Sequence, residues 1–147
     1  GSPVRVVLDL EGRLDPTLRV FQDGAAPTLV VRRAADGAHG VEQQGDELFV
    51  PVREGRLDLS ALLSTLHGRG LARVLVEGGG VTVSRFLESG LLDRLHLTVA
   101  PILIGSGRPA LTLSPIESLD EALRPECRRF PMGEDVLYDV DLRRLRS

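Results

Sequence analysis

Val-Leu-Val-Glu-Gly-Gly-Gly, residues 74–80, is the stretch of sequence that decides the fold. The apolar run of this stretch predicts a buried strand at Arg73–Glu77. Glycines follow immediately, and beyond them apolar residues such as Val83 and Phe86 recur at the spacing of one helix face. A buried strand, a glycine turn and a helix in direct succession are typical of an α/β protein.

The three glycines support a first hypothesis about function. Glycine tolerates positive φ and lets a ligand approach the backbone closely. The first turn of the next helix offers unpaired N–H groups at the positive end of its dipole, which suits a pyrophosphate group. The candidate cofactor-binding residues here are Gly78, Gly79, Gly80, Val81 and Thr82. The alternative, a tight turn without a ligand, stays open, although three glycines exceed what a turn needs.

Neither glycine-rich segment of the chain matches a dinucleotide-binding fingerprint in full. In the first segment, Val83 occupies the place of the third small residue. Residues 105–110, Gly-Ser-Gly-Arg-Pro-Ala, fit the G-x-G-x-x-A spacing. However, Pro109 and the run at 112–115 do not form an amphipathic helix, so a Rossmann site is not expected there.

Glu77 is the candidate catalytic residue. It lies at the carboxyl end of the predicted strand, where α/β proteins bind their ligands. A carboxylate in that place can accept hydrogen bonds from a polar substrate or relay a proton. The alternative is a strand-end carboxylate that pairs with an arginine.

Upstream of the glycines, three apolar segments predict strands, at Pro3–Asp9, Thr28–Val31 and Leu48–Val50. Between them, the segment 11–26 is rich in turn-forming residues, and the segment 34–45, rich in Gly, Ala and Asp, predicts a loop.

A helix is predicted after Asp58, whose carboxylate can cap the free N–H groups of the first turn. Gly68 and Gly70 are expected to end it. Its apolar face consists of Leu59, Leu62, Leu63 and Leu66.

Downstream of the glycines, alternating residues predict a two-faced strand at Leu95–Ala100, with 101–108 as its exit loop. The end of the chain predicts a hairpin, with a turn at 132–135 between strands at 128–131 and 136–142. Helices that alternate with strands imply a parallel core, and the hairpin adds antiparallel strands. The predicted fold class is therefore α/β, with a mixed, mainly parallel sheet flanked by helices and a C-terminal antiparallel hairpin.

Composition excludes several classes of function. With a net charge of −3 and mixed acids and bases, the chain has no basic stripe for nucleic acid. One cysteine, Cys127, excludes an internal disulfide framework, and three isolated histidines predict no metal site. No apolar run approaches the roughly 18 residues of a membrane span, so no membrane association is expected. Gly1-Ser2 is interpreted as an expression scar before a single domain at 3–147, with a cytoplasmic location expected.

Five phrases spread over almost the whole chain carry a family resemblance. They are Pro-Val-Arg-Val-Val-Leu-Asp at 3–9, Val-Leu-Val-Glu-Gly-Gly at 74–79, Leu-Asp-Arg-Leu at 92–95, Ala-Pro-Ile-Leu-Ile-Gly at 100–105 and Gly-Glu-Asp-Val-Leu at 133–137. In this order they resemble the reductase domain of bacterial riboflavin biosynthesis, the C-terminal half of a bifunctional pyrimidine deaminase/reductase.

The resemblance implies a dihydrofolate-reductase-like fold and a specific reaction. NADPH would transfer a hydride to the ribose of 5-amino-6-(5-phosphoribosylamino)uracil and give the ribityl product. Because the cofactor carries the hydride, the protein needs little acid–base chemistry and mainly aligns the two reacting carbons.

The resemblance also implies roles for individual residues. Gly78–Gly80 would contact the pyrophosphate, and Glu77 would lie beside the substrate and the nicotinamide. Asp9 and the loop after it would lie near the adenosine ribose. The opposite wall would consist of Pro101, Ile102 and Leu103 toward the substrate and Ile104 and Gly105 toward the cofactor.

Two departures from the family pattern affect these expectations. Leu10 stands where relatives often carry a small hydroxyl residue that helps to hold the 2′-phosphate, so the preference for NADPH over NADH depends on Arg13 as a cation. The family's opening strand, with its Ser-Leu-Asp-Gly phrase, and the strand that ends in Gly-x-x-Thr are absent from this sequence. The chain therefore resembles the C-terminal portion of a longer domain.

The absent strands predict a gap in the sheet between residues 73–77 and 95–100, because buried backbone groups need partners. Either another polypeptide fills the gap, as a homo-oligomer or as a chain that supplies the strands, or the two segments pair directly. Two alternatives to the reductase stay open: a catalytically silent binding or assembly module, and a reductase of the same fold with another small substrate.

Overall fold

The first half of the chain forms a four-stranded sheet. In the computed structural model, which describes residues 3–143, the strands are β1 (Arg5–Leu8), β2 (Thr28–Arg33), β3 (Glu42–Gln44) and β4 (Glu47–Val50). Their order is β1-β2-β4-β3. β2 pairs in parallel with both β1 and β4, and β3 pairs antiparallel with β4 at the edge of the sheet. The three predicted strands are confirmed, and Gly1-Ser2 lies outside the described residues.

The remaining elements follow in chain order. They are α1 (Arg19–Gln22), β5 (Val52–Arg53), β6 (Arg56–Leu57), α2 (Leu59–Gly68), α3 (Gly80–Glu88), β7 (Arg94–Val99), a 3₁₀ turn (Leu119–Glu121), β8 (Glu126–Met132) and β9 (Asp135–Asp141). The chain divides into two compact units, one up to Val74 and one from Leu75 onward. Along the described residues, no helix is long and apolar enough to cross a bilayer.

The prediction of a continuous loop at 34–45 is wrong, because β3 forms within it. Gly45 adopts a φ of +57°, and the register pairs Gln44 with Glu47 around a two-residue turn. Glycine makes such a tight hairpin turn possible. The polar strand β3 carries no apolar alternation, which is why its sequence resembles a loop.

The core of the first unit consists of alternate positions of β2 and β4 and one face of α2. Its fully buried side chains are Val31, Leu48, Val50, Leu62 and Leu66. Each fully buried valine or leucine contributes about 1.5–3 kcal/mol relative to an exposed one. The predicted limits of α2 are confirmed: the Asp58 carboxylate accepts a hydrogen bond from the Ala61 N–H at 2.9 Å. Gly70 follows the helix at a φ of +82°.

The second unit contains α3 and an antiparallel sheet in the order β7-β9-β8. The predicted hairpin is confirmed, with Met132 opposite Asp135 and Gly133 at a φ of +72° in the turn. In the register, His96 of β7 and Arg128 of β8 both lie opposite Asp139 of β9.

The prediction of a buried strand at Arg73–Glu77 is wrong. These residues form no strand, and the Leu75 side chain is 80% exposed. A strand needs a neighbour to pair its N–H and C=O groups, and none of the described residues pairs with this segment. The alternative that it pairs directly with 95–100 is also not found, since all pairings of β7 are with β9.

Candidate functional site

Each glycine of the 78–80 turn has a different local geometry. Gly78 has a φ of +153°, which side chains rarely allow. Gly79 is the N-cap residue of α3, and a Cβ on it would meet nothing within 4 Å. A Cβ on Gly80 would lie 2.5 Å from the Pro109 carbonyl oxygen and 2.6 Å from that of Ala110. Gly78 is therefore needed for its backbone conformation, Gly79 leaves open space in front of the backbone, and Gly80 is needed because its neighbours leave no room for a side chain.

The crowding at Gly80 brings two glycine-rich segments together. The segment 105–110 fits the glycine spacing but not the context of a nucleotide site, and its carboxyl end packs directly against the first residue of α3. Sequence reasoning missed this contact because nothing in either segment specifies the other. The feature of the sequence that could have predicted a close contact here is the third glycine, since a turn alone does not need it.

The open part of the turn is where a ligand can reach the backbone. Gly79 is exposed, Val81 is 62% exposed, and Thr82 is half-buried beside Gly78. The first N–H groups of a helix have no partner within the helix and favour an anion. The geometry at Gly79 therefore suits the pyrophosphate role predicted for this turn, and Gly80 serves packing as well.

Glu77 precedes the turn with an exposed side chain. Along residues 3–143, no arginine forms an ion pair with it, so the alternative of an arginine-paired carboxylate finds no support. Its carboxylate is available to a substrate, and its catalytic role stays a prediction.

The predicted opposite wall is an exposed apolar loop. Ile102, Leu103 and Ile104 are 67%, 102% and 78% exposed, and Pro101 and Gly105 are exposed as well. Three adjacent large apolar side chains in water are unfavourable, which points to a surface that a ligand or another chain covers. Their assignment to substrate and cofactor stays a prediction.

Asp9 and Arg13 belong to the first unit. The buried Asp9 carboxylate accepts hydrogen bonds from the N–H groups of Arg13 at 2.9 Å and Leu14 at 3.3 Å, and it pairs with Arg32. Burial raises the pKa of the Asp9 carboxyl, but these hydrogen bonds outweigh burial and lower it below its ordinary value. Asp9 thus holds the loop that presents the exposed Arg13 side chain. Their role toward an adenosine ribose stays a prediction.

A charged cluster on the C-terminal sheet was missed from the sequence. The buried carboxylate of Asp139 lies 3.0 Å from the Arg94 guanidinium, 3.3 Å from the His96 imidazole and 2.8 Å from the Arg128 guanidinium. Burial raises the pKa of Asp139, but the Arg128 hydrogen bond and the nearby charges lower it overall. Only the strand register could have predicted this cluster, because it brings residues of β7, β8 and β9 together around Asp139. The cluster links the three strands.

Two further features of the described residues bear on the site. None of them forms a group of three or more His, Cys, Asp or Glu that could hold a metal ion. An open cavity of about 280 Å³ lies in the first unit beside Phe21, Thr28 and Asp46, and none of the predicted site residues lines it.

The chain matches the family model described as the RibD C-terminal domain over residues 1–132. It is 35% identical over 146 residues to the 2,5-diamino-6-ribosylamino-4(3H)-pyrimidinone 5′-phosphate reductase of Methanothermobacter thermautotrophicus, which covers 97% of this chain and 67% of that protein. It is 32% identical to the riboflavin biosynthesis protein RibD of Escherichia coli, over 82% of this chain and 33% of that protein.

Two solved structures are similar in fold. Acinetobacter baumannii RibD gives a TM-score of 0.72 at 23% identity, over 93% of this chain and 36% of that chain. The Saccharomyces riboflavin biosynthesis reductase Rib7 gives 0.72 at 18% identity, over 95% of this chain and 69% of that chain. At these identities the likeness shows the fold alone, and it confirms the predicted dihydrofolate-reductase-like class. The chain spans at most about two thirds of the archaeal relatives it matches.

Proposed function

The chain belongs to the RibD C-terminal domain family, as the resemblance of its sequence implied, and from that premise we propose that it is the greater part of an NADPH-dependent reductase of riboflavin biosynthesis. The substrate is a pyrimidine that carries a phosphoribosylamino group, and in the product the ribose of that group is reduced to an open ribityl chain, with the amino nitrogen and the phosphate retained. The observation that supports this best is the exposed Gly79 backbone at the start of α3, beside the exposed carboxylate of Glu77.

The glycine turn binds the cofactor's pyrophosphate. The N–H groups at the start of α3 donate hydrogen bonds to the phosphate oxygens, and the positive end of the helix dipole stabilises their charge. Thr82 adds a hydroxyl from the first turn of the helix. When bound, the cofactor supplies the hydride that reduces the ribose.

Glu77 and the apolar loop orient the substrate. The Glu77 carboxylate accepts hydrogen bonds from the hydroxyl groups of the ribose or relays a proton near its reacting carbon. Ile102, Leu103 and Ile104 cover the opposite side and exclude water, which buries apolar surface that is otherwise exposed. Arg13 is the candidate cation for the preference for NADPH over NADH, and this preference stays a prediction. The cytoplasmic location stays a prediction as well.

The substituent at one position of the pyrimidine ring is the choice that the relatives leave open. The sequence resemblance predicts 5-amino-6-(5-phosphoribosylamino)uracil, whereas the archaeal relative that matches 97% of the chain is named for the 2,5-diamino-pyrimidinone. The two differ at one ring substituent, an amino group against an oxo group. A steady-state assay of NADPH oxidation by the full-length native protein with each compound decides between them.

A second candidate function is a binding or assembly module. The exposed apolar side chains of Leu75 and of residues 102–104 favour it, because such a surface also suits a partner chain. Binding of NADPH to the full-length native protein, followed by cofactor fluorescence, separates the two: the reductase binds it, and the silent module does not.

A further inference from the structure

A stripe of three residues on α3 holds the segment that follows the apolar loop. Gly80, Ser84 and Glu88 are four residues apart, so they lie on one face of the helix. Each of them contacts the backbone of residues 109–114. We call these three residues the α3 stripe.

The contacts of the α3 stripe follow the segment in order. At Gly80 the carbonyl oxygens of Pro109 and Ala110 lie 2.5 and 2.6 Å from the place that a Cβ would take. The Ser84 hydroxyl accepts a hydrogen bond from the Thr112 N–H at 2.7 Å. The Glu88 carboxylate accepts hydrogen bonds from the Ser114 N–H and its hydroxyl, both at 2.8 Å.

The segment has no regular structure that could hold it by other means. Residues 109–114 are neither helix nor strand, so their backbone groups depend on side chains or water for partners. Ser84 is 3% exposed, which makes its hydroxyl a fixed acceptor within the unit. Because the Ser84 hydroxyl is buried and already oriented, little side-chain freedom is lost when it accepts the hydrogen bond from the backbone of residues 109–114.

The apolar loop lies between this segment and the end of β7. Its upstream end follows Val99, which pairs with Val136 of β9. Its downstream end is fixed where Pro109 meets Gly80. Both ends of residues 100–108 are therefore anchored, the second directly at the glycine turn.

We propose that Ser84 and Glu88 are positioning residues for the cofactor site. By holding residues 109–114 against α3, they set the distance between the apolar loop and the glycine turn, and so the width of the space that the cofactor enters. This inference rests on the proposed function. Both side chains bond to residues 112–114 and act on the site through that segment, so we expect their substitution to change cofactor affinity more than the chemical step.

The test compares four variants of the full-length native protein: Ser84→Ala, Glu88→Ala, Glu88→Gln and, as control, Ser89→Ala at an exposed position at the end of the same helix. We expect Ser84→Ala to speed hydrogen exchange at the Thr112 amide and Glu88→Ala to speed it at Ser114. Losing one such hydrogen bond should raise the KM for NADPH by about three- to tenfold, with kcat within about twofold. Glu88→Gln keeps an acceptor oxygen and should retain most of the affinity.

The outcomes separate this inference from the proposed function. Exchange at Thr112 that is no faster in Ser84→Ala than in Ser89→Ala means that the hydroxyl does not hold the segment. Faster exchange with an unchanged KM means that the held segment does not shape the site. Either result overturns the positioning role. If the unsubstituted protein binds no NADPH, the proposed function fails and the positioning role fails with it, while the exchange data still show whether the α3 stripe holds the segment.

Discussion

The two compact units differ in how completely they bury their apolar side chains. Among the described residues, nine buried apolar side chains lie in the first unit and two in the second. Those of the first are Leu29, Val31, Ala34, Leu48, Val50, Leu57, Leu59, Leu62 and Leu66, and those of the second are Phe86 and Leu142. Large exposed apolar side chains are distributed the other way, with four in the first unit and twelve in the second. The first unit completes a core from its own sequence, whereas the second presents apolar surface to be covered.

Most of the candidate site lies in the unit that is less complete, and only Asp9 and Arg13 belong to the first. Glu77, the glycine turn and the apolar loop all belong to the second unit. Apolar surface beside a site can be covered by a cofactor, a substrate or another chain. Each of these stabilises the folded unit only when it is bound. The expected consequences for stability, association and activity therefore differ between the units.

The largest expected effect concerns association. Among the described residues β7 pairs on one edge only, which leaves an exposed edge that can pair with a strand of another chain. We therefore expect that the chain on its own does not reduce the pyrimidine as a monomer. Sedimentation and an NADPH-oxidation assay on the purified chain measure both properties. If an association covers the apolar loop, Leu103→Glu should weaken it and Leu18→Glu in the first unit should not. A monomer that turns over the pyrimidine would contradict the prediction.

The next effect concerns the glycine turn. Gly79→Val should abolish detectable NADPH binding by the full-length native protein, because the added side chain occupies the open space at the start of α3. The fold should be retained, since the site of its Cβ is empty. Gly80→Ala should instead lower the thermal midpoint, as its Cβ meets two carbonyl oxygens. Fluorescence titration and thermal unfolding distinguish these effects. Unchanged NADPH affinity in Gly79→Val would remove the pyrophosphate assignment.

Core truncation tests the difference in burial directly. Leu66 is 1% exposed, and Leu66→Ala should cost about 2–5 kcal/mol of the free energy of unfolding. Leu103 is 102% exposed, and Leu103→Ala in the isolated monomer should change it by no more than about 0.5 kcal/mol. Urea unfolding measures both values. A large loss from Leu103→Ala would show that this loop is already buried in solution.

A smaller effect is expected at Glu77. Glu77→Gln should lower kcat/KM of the full-length native protein about tenfold or more, which corresponds to roughly 1.4 kcal/mol of transition-state stabilisation. NADPH affinity should change much less, because the carboxylate acts on the substrate. The control is Glu117→Gln, an exposed acid outside the site. Unaffected turnover in Glu77→Gln would make Glu77 a structural carboxylate.

Much of the fold could be predicted because local signals agreed with the final pairing. Asp58 and Gly70 mark the ends of α2, and the alternation in 136–142 with Gly133 before it specifies the hairpin. The failure at Arg73–Glu77 has a physical cause. An apolar run shows that a segment is suited to a buried strand, but a strand forms only where a neighbour supplies hydrogen bonds, and no local pattern reports the neighbour.

The site was predictable in its residue types but not in its contacts. The glycine turn and the apolar loop were found from composition and family resemblance. The packing of Pro109 against Gly80 and the hydrogen bond from Thr112 to Ser84 join segments about 28 residues apart, which no periodicity encodes. The same holds for Asp139, whose neighbours Arg94, His96 and Arg128 meet only through the register of β7, β9 and β8.

The smallest expected effect is the pH dependence that each unit derives from one buried carboxylate, Asp9 in the first and Asp139 in the second. In both, the pKa is lower in the folded state than the ordinary value near 3.8. A lowered pKa means that the ionised group stabilises the fold above the unfolded pKa, and that this stability is lost as the pH falls through the folded pKa. Both units should therefore weaken below about pH 4.

The variants Asp9→Asn and Asp139→Asn show how much of the loss of stability at low pH comes from each unit. Each variant should be less stable than the unsubstituted chain at pH 7, and the difference should shrink toward pH 2 because the native carboxyl is then protonated as well. Urea unfolding across this range measures the difference, with Asp120→Asn as an exposed control. The cluster at Asp139 joins strands of the second unit only. We therefore expect Asp139→Asn to change the unfolding of the second unit, followed by hydrogen exchange of β7, β8 and β9, and not that of the first. A difference that stays constant from pH 7 to pH 2 would show that the ion pairs with Arg32 and Arg128 do not stabilise the fold.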